Sequence, residues 1–218
     1  MSEKGLAATP RVVHVSAASA DYDVTVGAGM LSELGRIARS AAGGARCCVV
    51  SETNVAPLYA DAAEASLTGA SYSVAERVVF AAGEQSKRLA TLGEILEALA
   101  ERELTRADVV VALGGGVTGD MAGLAAALYL RGVAVVQVPT SLLAMVDSSV
   151  GGKTAVDLTA GKNLAGAFCQ PAAVICDTDC LKTLPPDVFA DGAAEAVKTG
   201  VLSDEGLFAL FEDGTLTA

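Results

Sequence analysis

The alternation of hydrophobic and polar positions predicts strands and helices that follow one another along most of the chain. An apolar run at 12–15 predicts a first strand, and Tyr22, Val24 and Val26 alternate with polar residues as in a half-buried strand. By the same criteria, further strands are predicted at 47–50, 78–80, 109–113, 133–138 and 173–176, and helices at 31–37, 55–67, 89–99 and about 120–130. Because strand–helix–strand units join parallel strands, the predicted fold class is α/β, with a mainly parallel, Rossmann-like sheet flanked by helices.

The pattern changes after Pro139, and no strand is predicted between that residue and position 173. Small residues dominate 140–150, and Pro185-Pro186 marks a boundary beyond which helices are predicted at 193–202 and 206–211. These features predict an α/β domain over residues 1–185. They also predict that residues 186–218 begin an all-α carboxy-terminal domain, which is incomplete.

Composition and charge narrow the class of protein. Of the 218 residues, 52% are hydrophobic and the formal net charge is −11, which indicates a folded protein that binds neither nucleic acid nor anionic membranes. The longest apolar run, 121–130, is too short to span a bilayer, and residues 1–11 lack the apolar stretch of a secretory signal. The five cysteines are odd in number and lie in apolar segments, which indicates reduced thiols in a cytoplasmic protein.

A glycine-rich turn is the first candidate for chemistry. Gly114, Gly116 and Gly119 have the spacing of a dinucleotide-binding turn, between an apolar strand and a helix. Glycines let the backbone approach a pyrophosphate, and a helix N-terminus supplies unpaired N–H donors. A tight strand-to-helix turn without a ligand is the alternative. Asp120 follows directly, either as a partner of the helix dipole or as an acceptor for ligand hydroxyls.

Two further groups of polar residues have both a functional and a structural interpretation. Glu52 and Asn54 follow a predicted strand, where a ribose-binding acid would lie, although a loop acid and a turn former fit equally. Lys153, Lys162 and Asn163 follow glycines, as in a phosphate or carboxylate pocket. The alternative for the two lysines is exposure to solvent in loops.

Glu195 and Lys198 share one face of a predicted helix that is otherwise rich in alanine and valine. They form either an exposed ion pair or part of a metal site, because a carboxylate on an apolar face is better explained if it binds a cation. His14, the only histidine, lies in a strand pattern and is predicted to be structural. The sequence therefore offers no Ser/His/Asp arrangement.

Taken together, these segments resemble the 3-dehydroquinate synthase family, from about residue 51 to residue 203. The resemblance is carried by seven segments in order: Gly83-Glu84-Gln85-Ser86-Lys87, Gly114-Gly115-Gly116-Val117-Thr118-Gly119-Asp120, Arg131-Gly132, the stretch 138–156, Gly161-Lys162-Asn163-Leu164, Leu181-Lys182-Thr183-Leu184-Pro185 and Ala194-Glu195-Ala196-Val197-Lys198. No single segment is decisive, but their order makes chance agreement negligible.

The resemblance implies a role for each matching residue. The family converts 3-deoxy-D-arabino-heptulosonate 7-phosphate to 3-dehydroquinate and phosphate in the shikimate pathway, and NAD is regenerated in each turnover. The implied NAD site comprises Glu52, Asn54, Glu84, Lys87, Gly115, Gly116, Gly119, Asp120, Thr140, Ser141, Lys153, Lys162 and Thr183. The implied catalytic residues are Asp147, Lys153, Asn163, Lys198 and Arg131, the last reaching the substrate phosphate of a neighbouring subunit. Glu195 would bind Zn²⁺ or Co²⁺, and the full-length enzyme would be a cytoplasmic homodimer.

The sequence departs from the family pattern at three points. Glu52 replaces the usual Asp, and Ser141 replaces a frequent Thr. Both are conservative substitutions. The two histidines that complete the family's metal site have no counterpart, so the chain is expected to be a fragment without synthase activity of its own. The alternatives are a related sugar-phosphate cyclase (2-epi-5-epi-valiolone or aminodehydroquinate synthase), a metal-dependent polyol or alcohol dehydrogenase, and a non-catalytic NAD-binding module that binds no metal.

Overall fold

The computed structural model describes residues 9–17 and 19–213. The strands in this part of the chain are β1 (Arg11–Ser16), β2 (Asp21–Gly27), β3 (Arg46–Glu52), β4 (Ser73–Phe80), β5 (Val109–Gly114), β6 (Ala134–Pro139), β7 (Lys153–Leu158), β8 (Gly161–Phe168) and β9 (Ala173–Asp177). The α-helices are α1 (Leu34–Ala42), α2 (Ala56–Gly69), α3 (Leu89–Glu101), α4 (Gly116–Leu128), α5 (Pro186–Ser203) and α6 (Glu205–Glu212). Short 3-10 turns lie at Met30–Glu33, Glu84–Ser86, Tyr129–Arg131 and Thr178–Thr183, and one π-helical turn at Ala144–Ser148.

The main sheet has seven strands in the order β1-β2-β9-β6-β5-β3-β4, and all neighbours pair in parallel except β1 and β2. This confirms the prediction of a mainly parallel, Rossmann-like sheet. Every residue of β5 is buried, because the central strands are covered on both faces. Alternate side chains therefore enter different layers, Cys47 and Val49 on one side of β3 and Cys48 and Val50 on the other.

Two apolar layers enclose the sheet. Helices α1 and α2 cover one face through Leu34, Ala60 and Leu67. Helices α3 and α4 cover the other face, together with a two-stranded ribbon formed by β7 and β8. Burial raises the pKa of the Cys47 thiol to about 12, and all five cysteines carry free thiols, as predicted for apolar segments. Among the described residues, no helix combines the length and apolar character needed to cross a membrane.

The ribbon of β7 and β8 is the largest departure from the predicted elements. The two strands pair antiparallel, with an irregularity between Val156 and Leu158. Lys153 and Lys162 therefore lie on paired strands, so the alternative that placed them in loops was wrong about the backbone, although both residues are exposed. The alternation of apolar and polar residues that marks a strand is absent from β8. This strand carries glycine, lysine and asparagine, which are rare in strands, and most of its residues are exposed. The ribbon is held instead by its packing on α4, where Val156 is fully buried.

The predicted boundaries of two helices also need correction. Helix α4 begins at Gly116 and ends at Leu128, whereas the prediction placed it at about 120–130. Asp120 therefore lies inside the helix, one turn beyond its first residue. Leu130 and Arg131 cannot continue the helix because their φ values are 50° and 66°. Helix α5 begins at Pro186, directly at the double proline, and a division of the chain into domains at this point stays a prediction.

A matched pair of glycine substitutions tests how tightly the ribbon packs. A Cβ at Gly123 of α4 would lie 2.5 Å from Thr154 Cγ2, whereas a Cβ at Gly93 of α3 would meet nothing within 4 Å. We expect Gly123→Ala to lower the free energy of unfolding by about 1–3 kcal/mol through overpacking. Gly93→Ala should raise it by about 0.5–1 kcal/mol through reduced backbone entropy of the unfolded chain. Urea denaturation of both variants measures the difference, and equal effects would contradict the close approach of β7 to α4.

Candidate functional site

The site lies at the carboxyl ends of the parallel strands, where the connections that follow β3 and β5 lead towards opposite edges of the sheet. After β3 the chain passes through α2 to β4 at the sheet edge, and after β5 it passes through α4 to β6 on the other side. This divergence leaves a crevice between the ends of β3 and β5, the usual ligand position in such sheets. Glu52 ends β3 and Gly114 ends β5, and the Ser51 hydroxyl joins the two strands by donating to the Leu113 carbonyl at 2.8 Å.

The glycines of the strand-to-helix turn have different tasks. A Cβ on Gly114 would lie 2.4 Å from Thr118 Oγ1, and one on Gly119 would lie 2.9 Å from Gln137 Oε1, so both positions are fixed by packing. A Cβ on Gly116 would lie 3.0 Å from Ser148 Oγ. Only Gly115 is open, with Ser141 Oγ at 3.4 Å. Gly119 therefore serves the close packing of α4 on β6, and Gly115 is the glycine that exposes backbone to a ligand.

This turn fits the pyrophosphate of a dinucleotide. The first N–H groups of α4 have no acceptor within the helix, and they lie beside the hydroxyls of Ser141 and Ser148. Thr118 Oγ1 is buried and has no hydrogen-bond partner among the described residues. Thr140, which is buried, anchors the following segment because its N–H donates to the Gly114 carbonyl at 2.9 Å.

Glu52 is buried and its carboxylate is engaged by its own chain. It accepts hydrogen bonds from the backbone N–H groups of Asn54 at 2.7 Å and Val55 at 3.0 Å, at the turn into α2. The Asn54 side chain is exposed. This contact in the turn before α2 shows why an acid suits the position whether or not a ligand binds, since negative charge is favoured near a helix N-terminus. Each carboxylate oxygen keeps a lone pair with which it could accept a ligand hydroxyl.

Lys87, Asp120 and Asn163 meet at the centre of the site. The Lys87 side chain is buried, forms an ion pair with the Asp120 carboxylate and donates to Asn163 Oδ1 at 2.5 Å. Burial raises the pKa of Asp120, while the hydrogen bond from Lys87 acts in the opposite direction. Because the three residues come from the loop before α3, from α4 and from β8, this contact joins three separate elements.

A cleft of about 490 Å³ opens beside this group. It is lined by Asp120, Asp147, Ser148, Lys153 and Asn163, with Leu164 and Phe168 of β8 as an apolar wall. Lys153 Nζ lies 3.7 Å from Asp147 Oδ1. Such a lining of mixed charge suits a polyhydroxylated, anionic ligand better than an apolar one.

Two further charged pairs involve predicted site residues. Lys198 Nζ lies 2.5 Å from Glu195 Oε1 on α5, and this contact, supported by Asp147, raises the pKa of Lys198. Lys162 Nζ lies 2.9 Å from Glu84 Oε1, and both side chains are exposed. The structure thus brings most predicted site residues to one edge of the sheet.

Arg131 and Thr183 lie apart from the cleft. Arg131 precedes β6 and is exposed at the opposite edge of the sheet from the carboxyl ends. Thr183 lies in the turn after β9, where its hydroxyl bonds to the Tyr59 hydroxyl of α2 and donates to the Cys180 carbonyl at 3.2 Å. The sequence analysis did not single out Ser148, which approaches Gly116 and lines the cleft. A serine beside Asp147 in an aperiodic segment carries no signal of this role.

The described residues do not assemble a metal site by themselves. Nowhere between residues 9 and 213, Ala18 aside, do three or more His, Cys, Asp or Glu side chains cluster so that they could hold a metal ion. Glu195 has Lys198 as its partner, and His14 bonds to Asp23 across β1 and β2 at 2.8 Å. This donor set supplies at most one of the ligands that zinc requires.

Sequence comparison relates the chain to 3-dehydroquinate synthases. The family model described as 3-dehydroquinate synthase N-terminal matches residues 77–191. The 3-dehydroquinate synthase of Symbiobacterium thermophilum is 51% identical over 185 residues, which cover 84% of this chain and 51% of the relative. That of Nitrobacter winogradskyi is 48% identical over 203 residues, which cover 93% and 53%. The chain thus spans about half the length of the curated relatives it matches.

Solved structures show the same fold. A 2-deoxy-scyllo-inosose synthase complexed with carbaglucose-6-phosphate, NAD⁺ and Co²⁺ matches with a TM-score of 0.80 and 32% identity, covering 87% of this chain and 52% of that one. The 2-epi-5-epi-valiolone synthase of Streptomyces hygroscopicus subsp. jinggangensis 5008, with NAD⁺ and Zn²⁺ bound, matches with a TM-score of 0.80 and 32% identity, covering 94% and 56%. An iron-containing alcohol dehydrogenase shares the fold alone, at 19% identity and a TM-score of 0.69, covering 83% and 52%.

The contribution of Glu52 to the turn before α2 can be measured by the stability of a variant. We expect Glu52→Ala to lower the free energy of unfolding by about 1–2 kcal/mol, because the Asn54 N–H loses its acceptor and the Val55 N–H keeps only the carbonyl of residue 52 at 3.2 Å. Glu76→Ala serves as the control, since that side chain is 85% exposed and its removal should cost less than about 0.5 kcal/mol. Thermal or urea denaturation compares the two variants. Stability unchanged by Glu52→Ala would show that the carboxylate does not hold the turn.

Proposed function

Since the chain belongs to the 3-dehydroquinate synthase family, we propose that it forms the NAD-binding part of a 3-dehydroquinate synthase of the shikimate pathway. The proposed reaction converts 3-deoxy-D-arabino-heptulosonate 7-phosphate to 3-dehydroquinate and phosphate, a lyase and cyclase reaction. The observation that carries the proposal is the position of the open glycine turn, which adjoins a cleft lined by Lys153 and the carboxylates of Asp120 and Asp147. A dinucleotide and an anionic sugar phosphate would thus bind side by side.

The residues of the chain divide into those for the cofactor and those for the substrate. When bound, NAD supplies reversible acceptance of a hydride from a ring alcohol. The turn at Gly115 and Gly116 would hold its pyrophosphate on the N–H groups of α4. On the substrate side, Lys153 and Lys198 would hold anionic groups, and Asp147 lies where it could accept a hydroxyl proton.

The metal is proposed with a narrower role for this chain. The two solved cyclases bind Co²⁺ and Zn²⁺ respectively, and Glu195 remains the predicted ligand in the present sequence. Because the described residues supply no cluster of further ligands beside Glu195, this part of the chain would hold a metal ion through at most one side chain. Glu195 is held by Lys198, so a metal ion would have to displace or share that ion pair.

We further propose a cytoplasmic homodimer in which Arg131 of one subunit reaches the substrate phosphate of the other. The exposure of Arg131 at the edge of the sheet away from its own cleft supports this role, because an arginine there cannot serve the site of its own subunit. A domain boundary is also proposed at residues 185–186, because the double proline lies there and α5 begins at Pro186. Helices α5 and α6 would then belong to the second domain.

Two alternatives keep specific support. The match to 2-epi-5-epi-valiolone synthase at 32% identity supports a related cyclase, although the curated 3-dehydroquinate synthases are more similar at 48–51%. The absence of a metal cluster among the described residues supports a non-catalytic module that binds NAD. Binding of the heptulosonate substrate by the NAD-loaded chain separates the first alternative, and NAD binding without any binding of a sugar phosphate supports the second.

Binding of NAD⁺ tests the cofactor assignment directly. We expect the 218-residue chain to bind NAD⁺ in isothermal titration calorimetry and Gly115→Val to weaken binding by about tenfold or more, or ~1.4 kcal/mol, because the side chain would cover the turn. The control is Gly69→Val at the end of α2, where a Cβ meets nothing within 4 Å. Equal affinity of Gly115→Val and the unmodified chain would refute pyrophosphate binding at this turn.

Turnover tests the metal argument. We expect no release of phosphate from the heptulosonate substrate by the purified 218-residue polypeptide, even with NAD⁺ and Zn²⁺ or Co²⁺ present, because one carboxylate cannot hold a catalytic metal ion. A full-length relative assayed in parallel provides the positive control. Measurable, metal-dependent turnover by the 218-residue polypeptide would show that the proposed ligand set is wrong.

A further inference from the structure

Four hydrogen-bonding contacts join Lys87 of the loop before α3, Asp157 of β7, Asn163 of β8 and Asp120 of α4. The Lys87 carbonyl accepts from the Asp157 N–H at 2.8 Å, and the Asp157 carboxylate accepts from the Asn163 N–H at 2.7 Å. The circuit closes because the Lys87 ammonium donates to Asn163 Oδ1 and pairs with Asp120. Asn163 adopts a left-handed conformation with φ of 57°, in which its side chain reaches this contact. Main-chain and side-chain bonds therefore fix Lys87 at both ends.

The chemistry of lysine determines which atoms of its partners remain available. An ammonium group only donates, so the Asn163 side chain must present its oxygen to Lys87 and its NH₂ group elsewhere. Asn163 lines the cleft and is exposed, which leaves the NH₂ group on the cleft side. Asp120 is engaged through Oδ2, and among the described residues nothing donates to its second oxygen. One donor and one acceptor are thus left next to each other.

We propose that Lys87 is a positioning residue, which orients Asn163 as a donor and Asp120 as an acceptor so that the pair binds one hydroxyl group of a ligand. A hydroxyl can accept from the amide NH₂ and donate to the carboxylate at the same time. The ligand class is therefore a polyol. The hydroxyl comes either from the ribose of the dinucleotide or from the sugar phosphate, and this last point rests on the proposed function.

Burial distinguishes this role from direct contact of Lys87 with a cofactor. Lys87 is only 5% exposed, and two of its three donors already have partners. Lys162, by contrast, is exposed and has a single partner, Glu84, on its side chain. A buried cation with an acidic and an amide partner orders its neighbours more than it attracts a ligand.

The orientation of Asn163 can be measured without any ligand. The sequence contains two asparagines and three glutamines, so a ¹⁵N spectrum has only five side-chain amide pairs, and the absence of one in Asn163→Asp assigns Asn163. We expect its signals to shift in Lys87→Met because the charged partner of Oδ1 is lost. Lys182→Met, which removes an exposed lysine paired with Asp179, should leave them in place. Unchanged Asn163 signals in Lys87→Met would overturn the positioning role.

Ligand binding then identifies the hydroxyl. Asn163→Asp keeps an acceptor for Lys87 but replaces the NH₂ donor, so the fold should persist while affinity falls by about tenfold. A loss of affinity for NAD⁺ alone assigns the ribose. A loss confined to 3-deoxy-D-arabino-heptulosonate 7-phosphate in the presence of NAD⁺ assigns the sugar phosphate. Retention of both affinities would overturn hydroxyl binding by the pair. If the unmodified chain binds neither ligand, the proposed function fails, while the amide spectrum still decides the role of Lys87.

Discussion

The close approach of helix α4 to its neighbours is the constraint on which the rest of the site depends. Gly116, Gly119 and Gly123 lie on one face of the helix, and added Cβ atoms would come within 3.0 Å of Ser148, Gln137 and Thr154 respectively. Three separate segments can therefore pack against the same helix at backbone distance. Without this stripe the ribbon of β7 and β8 would stand off from α4, and Asn163 could not reach the group formed by Lys87 and Asp120.

This packing also explains how the charged side chain of Lys87 can be buried, where removal from water is costly. An ammonium group that is 5% exposed has lost most of its hydration, and removing one partner of such a pair leaves an uncompensated charge. Lys87 is tolerated because Asp120 supplies the opposite charge and Asn163 a further acceptor. The same physical demand explains Glu52, whose buried carboxylate is satisfied by two backbone N–H groups. Both residues stabilise the fold at the same edge of the sheet where ligand binding is proposed.

The sequence was sufficient to predict elements whose pattern is set by local burial. β5 and β9 are buried along their whole length, so their apolar runs revealed them, and the glycine turn followed from its place after β5. The ribbon was missed because its stability comes from contact with α4 and not from a pattern in Gly161-Lys162-Asn163. The start of α4 was placed too late because glycines at 116 and 119 resemble a loop, although packing requires them in the helix. The contact between Lys87 and Asn163 joins residues 76 positions apart, and nothing local signals it.

Each lysine of the site has an acidic partner, but the pairs differ in how firmly they hold. Lys87 is buried and has two partners, Asp120 and Asn163. The Lys153 side chain is 64% exposed, and its Nζ lies 3.7 Å from Asp147 Oδ1. An exposed ion pair at that distance contributes little, on the order of 0–1 kcal/mol, so Lys153 can leave Asp147 for an anionic ligand at small cost. Lys87 cannot move without leaving Asp120 unpaired in a largely buried position. The gradient from fixed to loosely held lysines therefore runs from the centre of the site towards the open cleft, which separates residues that order the site from residues that are free to bind an anion.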